Sequence, residues 1–444
     1  MAGFISIPDV AHYWLTNGRV PLCFLAESVG LEPIAALQAF PHQEELVAVD
    51  IEVQAGAIAR ILPAGQAAVA ACPAVNLNQG LIWPCFVDMH THLDKGHTWP
   101  RCPNPDGTFI GALETVRQDH SNWQPDDLYQ RMEFGLKCSY AHGTQAIRTH
   151  LDSFGPLGAT NFTVFDHLRR QWQDRLTLQA VCLVSLDYFL TPEGESLAQL
   201  VAEFGGILGG VAYMNEDIVA QLDRVFMLAK RYGLDLDFHT DESLNPDDIT
   251  LRYVAEAALR HDFQGAITCG HCCSLSVQSA ETVEKTLSLV KAANIGIVSL
   301  PMCNLYLQDR QRNRTPRYRG VTILHEIHHQ GIRVALSSDN CRDPFYAYGD
   351  HDGLDVFKQS VRIGHLDRPF DHWPLSLTSR PAELMGLTGV GTLVPGSSAN
   401  LICFKARSLN ELVARAQCDR VVLRQGQSID TTLPDYSELD AWVF

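Results

Sequence analysis

Phe86-Val-Asp-Met-His-Thr-His-Leu-Asp-Lys95 decides how this chain is read. Its apolar start has the texture of a buried strand, and the strand ends on polar residues where a purely structural strand would end on apolar ones. Histidines at i and i+2 of a strand share a face, so His90 and His92 can reach one ion together. Seven more apolar runs follow it, at Thr144–His150, Leu176–Ser185, Ile207–Met214, Leu234–His239, Ala266–His271, Ile295–Leu300 and Val334–Asp339. With Cys85–His92 that makes eight. Amphipathic stretches such as Val219–Tyr232, Val277–Ala293 and Thr322–Gln330 lie between them. Repeated strand–helix units predict an α/β protein with a parallel sheet, and eight of them predict a (β/α)₈ TIM-type barrel whose chemistry sits at the strand C-termini.

The remaining sequence flanks this region. Val47–Val53 alternates, Gln54-Ala-Gly56 turns, and Ala57–Leu62 returns; Ala399–Phe404 and Arg420–Arg424 read as further strands after the Pro395-Gly396 turn. We therefore expect residues 1–84 and 386–444 to build a small β-sandwich, and residues 85–385 to form the barrel. The only compositionally biased tract is the Ala-rich patch Ala67–Ala71.

The totals bound the function. Among 444 residues, 19% are charged and 46% hydrophobic, against a usual charged share of about 25%, which suits a large buried core. A formal net charge of -17 argues against nucleic acid, whose phosphates need clustered Lys and Arg. Met1–Val10 lacks the basic start of a secretory signal, and no run of about 18 apolar residues suggests a membrane span. Thirteen cysteines, an odd number scattered through the predicted elements, read as reduced thiols rather than a disulfide framework, which points to the cytoplasm.

Polar residues punctuate four strand ends: His90-Thr-His92, His239-Thr-Asp-Glu242, His271 and Asp339. His271 follows His239 by about one βα unit and Asp339 follows His271 by about two, so all should meet at one mouth of a barrel. His90, His92, His239 and Asp339 would offer three imidazoles and a carboxylate to one divalent ion, zinc or iron, with a position left for water.

These motifs resemble those of the cytosine deaminase and N-isopropylammelide amidohydrolase branch of the amidohydrolase superfamily. Arg148-Thr-His-Leu-Asp152, Gly270-His271, Ser338-Asp-Asn-Cys-Arg-Asp-Pro-Phe345 and Pro395-Gly-Ser-Ser-Ala-Asn-Leu-Ile402 extend the likeness from about Leu81 to Asn400. The resemblance implies that His90, His92, His239 and Asp339 are the metal ligands and that Glu242 shuttles a proton to the substrate ring. It implies further that His271 faces the attacking water, that Glu242, Asp339 and His271 together supply the base and acid of the reaction, and that Asp94, Arg148, His150 and Asp152 act from behind or in the framework. The implied reaction is hydrolytic deamination of a small nitrogen heterocycle, cytosine-like pyrimidines first. Hydrolysis of a cyclic amide or an N-substituted triazine is the alternative, and a non-catalytic homologue of the same fold is the second. A binuclear site bridged by a carbamylated Lys is disfavoured, since Ile207–Met214 contains no Lys. The chain could also be a homo-oligomer.

Three positions depart from the family pattern. Where relatives carry a substrate-reading Gln, the third strand runs Leu183-Val-Ser-Leu-Asp-Tyr188, leaving Ser185 or Asp187 for that contact. Asn340 replaces a second Asp, and Phe345 replaces a Trp over the substrate. Together with Asp343 these make the expected substrate-binding set, retuned away from cytosine. Two motifs are set aside: His325-Glu-Ile-His-His329 has zinc-protease spacing but sits on a predicted outer helix, and Cys269-Gly-His-Cys272 has no second Cys pair.

Overall fold

A computed structural model describes residues 4–26, 46–69, 72–416 and 419–444; residues 1–3 and, from the Ala-rich patch, Ala70 and Ala71 lie outside the described residues. The chain divides into two compact units. One holds Met1–Val87, Ser139–Gln145 and Gly353–Leu433, the other Asp88–Cys138, Ala146–Asp352 and Pro434–Phe444. The line expected at 385/386 thus meets a partition that falls earlier, at Gly353, and the C-terminal residues from Pro434 return to the second unit. Leu439 and Val443 explain the return, because they bury themselves against Phe134 and Cys138.

The first unit is a small β domain. Its strands are β1 (His12–Pro21), β2 (Leu46–Gln54), β3 (Ala57–Pro63), β4 (Ala74–Asn76) and β5 (Leu81–Pro84). From the C-terminal side come β14 (Leu401–Phe404), β15 (Arg420–Arg424) and β16 (Gln427–Ser428). Ala55 and Gly56 both take positive φ, 49° and 81°, as a two-residue turn between twisted strands requires, and this fixes the β2–β3 register. β14 lies between β5 and β15, so the distant termini share one sheet. The expected sandwich is hydrogen-bonded as a single branched sheet, because β1 shifts register between Leu15 and Gly18 and pairs with β4 before the shift and β5 after it.

The parallel strands, whose residues fall in the second unit except for Phe86, Val87, Thr144 and Gln145, are β6 (Phe86–Thr91), β7 (Thr144–Asp152), β8 (Thr177–Leu183), β9 (Leu208–Ala212), β10 (Leu236–Thr240), β11 (Ile267–His271), β12 (Gly296–Ser299) and β13 (Val334–Leu336). Each predicted strand is present, most of them shorter by one to several residues at one or both ends. β6–β7–β8 form one sheet and β9 to β13 another. Parallel bridges Val181–Ile207 and Ser185–Val211 join β8 to β9, and the bridge Thr91–Asp339 joins the far edges. Gly209 permits close packing inside: a Cβ there would lie 2.1 Å from Asp237 O.

The helices follow their apolar stripes. Ile218–Tyr232 buries Ile218, Leu222, Val225, Phe226 and Ala229, then stops where Gly233 adopts φ 67°. The predicted Val277–Ala293 helix begins at Ala280, capped by Ser279, after a short 3₁₀ turn at Cys273–Val277. No helix among the described residues is long and apolar enough to cross a membrane.

Candidate active site

At the C-terminal ends of these strands the backbone takes a conformation that side chains disfavour. Asp241, His271 and Asp339 have φ of 51°, 70° and 65°, a cost of about 1–3 kcal/mol each that tends to be kept where function needs it. The distortion brings imidazoles and a carboxylate together. Asp339 Oδ1 lies 3.2 Å from His92 Nε2 and 3.6 Å from His90 Nε2, and His92 Nε2 lies 3.4 Å from His239 Nε2. Gly270 makes room for this, since a Cβ would sit 2.8 Å from His90 Cε1.

Both Asp339 oxygens and both His90 nitrogens are buried without a hydrogen-bond partner. Buried polar groups are seldom left so, and a carboxylate 3.2 and 3.6 Å from two imidazoles has the spacing expected of metal ligands: donors about 2.1 Å from one tetrahedral ion are about 3.4 Å apart. The residues present therefore fit a divalent ion. Buried imidazole groups that could hold one are His90–His239–His271 and His90–His92–His150. Burial first, then neighbouring imidazoles and Lys95, hold His90, His92 and His239 far below the usual imidazole range, so they are neutral and ready to ligate. His325 and His329 belong to no such group among the described residues, and their helix, Leu324–His329, leaves His329 exposed.

Glu242 lines the adjacent cleft, with Oε1 3.3 Å from His271 Nδ1. Burial and then Asp339 raise its carboxyl well above the ordinary range. Asn304 Nδ2 lies 2.9 Å from His271 Nδ1 and helps to hold the ring in place. Asp241, between His239 and Glu242 in the motif, turns away from the histidine–carboxylate cluster. Its carboxylate accepts from Thr250 N and Oγ1 and holds the start of the next helix.

The cleft encloses about 820 Å³ of empty space, open solvent at its mouth included. Phe109, Val116, Leu183, Val211, Tyr213 and Phe345 make its apolar walls. Ser185 and Asn340 also line it. Two expected substrate contacts do not. Asp187 is exposed because the chain enters a 3₁₀ turn at Leu186–Leu190 just after Ser185. Asp343 is fully buried behind the wall, where it accepts from Asn340 Nδ2 at 2.8 Å and from the backbone N–H of Phe345 and Tyr346, so it shapes the loop. Asp187→Ala is accordingly expected to leave steady-state kinetics within about 2-fold, whereas Ser185→Ala should raise KM about 5-fold, the worth of one hydrogen bond; parallel kinetics on the two variants check this.

Sequence reasoning missed several groups. Lys95, Arg117 and His120 line the same cleft, and Asp152 ties two of them: Lys95 Nζ donates to its Oδ1 at 2.5 Å, and His120 Nε2 lies 3.1 Å from its Oδ2. Beside the clustered imidazoles, Arg148 Nη1 donates to Asp237 Oδ2 at 2.8 Å, and His150 Nε2 lies 3.3 Å from Asp237 Oδ1. Lys95 alone carried a signal, standing in the opening motif.

The chain matches the amidohydrolase family over residues 171–428. A pterin deaminase of Rhizobium rhizogenes is 48% identical over 439 residues, 98% of each chain. An N-isopropylammelide isopropyl amidohydrolase of Pseudomonas sp. (strain ADP) is 23% identical over 75% of this chain and 82% of that protein. Among solved structures, 5-methylcytosine deaminase from Klebsiella pneumoniae superposes with a TM-score of 0.79 at 25% identity, covering 94% of this chain and 97% of that one.

Proposed function

This chain belongs to the amidohydrolase family and is a hydrolase of carbon–nitrogen bonds other than peptide bonds, and on that premise we propose that it hydrolytically deaminates a pterin-like fused heterocycle. The observation that carries the reading is Glu242, a carboxyl with little exposure beside His271 at the edge of the His90–His92–His239–Asp339 cluster. The Rhizobium relative, alike over almost the whole length, is a deaminase of pterin, an amino-substituted bicycle. We read the eight parallel strands as a closed (β/α)₈ barrel, on the strength of the bridges at both joins between its sheets.

His90, His92, His239 and Asp339 would hold one divalent ion, zinc or iron, with His271 facing the same space. When bound, the ion lowers the pKa of a water molecule and so supplies a nucleophile near neutral pH. The chain's own groups do the rest. Glu242 accepts the proton of the attacking water and returns it to a ring nitrogen, and a second transfer turns the amino group into departing ammonia. A carboxyl raised above its ordinary range is suited to hold a proton between those transfers. His271, held in place by Asn304, presents its imidazole to the oxygen that becomes the product carbonyl. Phe109 and Phe345, with ring centroids 5.7 Å apart, offer apolar surface to a planar ring.

The missing strand-three Gln and the apolar wall in its place favour a substrate other than cytosine. Ammonia release measured over pterin, cytosine, guanine and aminotriazines tests the reading. Pterin is expected to exceed cytosine in kcat/KM by about 10²-fold or more, since a polar mismatch in a closed pocket costs a few kcal/mol. Cytosine as the best substrate, at about 10⁵ M⁻¹s⁻¹ or above, would overturn it. The twelve described cysteines are all free, in keeping with a reducing, cytoplasmic setting.

A further inference from the structure

The catalytic unit contains another group of metal-binding side chains, outside the cleft. His97, Cys341 and His351 each offer a donor atom, and these atoms all lie within 4.8 Å of one another. His97 Nε2 and His351 Nε2 are 3.2 Å apart. All three residues are buried, at 1%, 2% and 3% exposure, and none lines the cleft.

Separate stretches of chain bring them together. His97 follows β6 and its ligand histidines; its backbone N–H donates to Cys341 O at 3.0 Å. Cys341 stands two residues beyond Asp339, and His351 closes the loop that Cys341 opens. The helix Pro125–His142 backs the group: a Cβ on Gly135 would come within 3.0 Å of His351 Nε2, so glycine is what lets the imidazole sit there.

We propose that His97 Nε2, His351 Nε2 and Cys341 Sγ bind a second divalent ion, zinc by preference, which pins the loop following Asp339 to the segment following His92. Two imidazoles and a thiolate are a borderline-to-soft set that selects zinc over magnesium or calcium. A nitrogen separation of 3.2 Å is close to the edge of about 3.4 Å that two imidazoles make on one tetrahedral zinc. Binding displaces the thiol proton of Cys341 to solvent. A fourth donor would be water. The ion touches no cleft-lining residue, so its work is structural: it fixes the strand-end loops that deliver His92 and Asp339. The competing account is a hydrogen bond between two neutral imidazoles with the thiol packed beside them.

Whole protein produced in cobalt-supplemented minimal medium distinguishes the two. A thiolate ligand gives cobalt(II) a charge-transfer band in the near ultraviolet, which the imidazole–carboxylate cluster of the cleft cannot. The band is expected in the unmodified protein and should disappear in both Cys341→Ser and His351→Gln, with elemental analysis falling from two ions per chain to one. If one variant does not fold, the other decides. A folded protein without the band, or a band at full strength in a folded variant, overturns the proposal. Failure of ammonia release with the band intact would count against the cleft reading alone.

Discussion

Replacing Glu242 by Gln is expected to lower kcat by on the order of 10²-fold or more while fold and metal content stay unchanged. The amide matches the carboxyl in shape and fills the same space beside His271, so packing is conserved. What it cannot do is accept a proton from water and return it to the substrate ring. Burial and Asp339 already hold this carboxyl well above its ordinary range, the condition under which a carboxyl can carry a proton near neutral pH. KM should move far less than kcat, because the lost interaction belongs to the transition state. Steady-state kinetics with elemental analysis on the same sample check the prediction, and near-normal turnover would remove Glu242 from the mechanism.

The second large effect is expected at Asp339. Its two oxygens are buried without hydrogen-bond partners, and Oδ1 faces His90 and His92 at 3.6 and 3.2 Å. Asp339→Asn keeps the volume, and its backbone N–H still donates to His90 O at 2.9 Å, so the strand-end geometry should survive. The neutral amide lacks the carboxylate's charge and is a poor ligand. We expect metal retention to weaken by at least about 10²-fold, more than is usual for removing a supporting partner, and turnover to fall at least as far. Elemental analysis after dialysis should show the loss of one equivalent, while circular dichroism stays that of the parent.

What the sequence made legible follows from what periodicity can carry. Buried parallel strands are continuous apolar runs, so the eight were visible, as were the polar residues ending them. His90, His92, His239, Glu242, His271 and Asp339 are gathered at one place because each lies at, or within three residues of, a strand end. Local backbone direction was not visible. Asp187 looked available two residues after Ser185, but a 3₁₀ turn points it to solvent. Asp343 looked like a substrate contact in its motif and instead braces the Phe345 loop. Lys95, Arg117 and His120, which line the cleft, and Asn304, which contacts His271, come from loops and helices between strands, where neither spacing nor alternation marks such a residue. The C-terminal return of Leu439 and Val443 was hidden for the same reason, since two apolar residues in a short helix carry no long-range address.

Metal-dependent deamination is tested most sharply by ammonia release from pterin, using protein dialysed against a strong chelator, before and after zinc or iron is returned. Turnover is expected to be lost on dialysis and recovered in proportion to the metal restored, and Asp339→Asn is expected to recover little under the same treatment. Full turnover from metal-free protein, or recovery of the Asn variant to the parent's level, would contradict it.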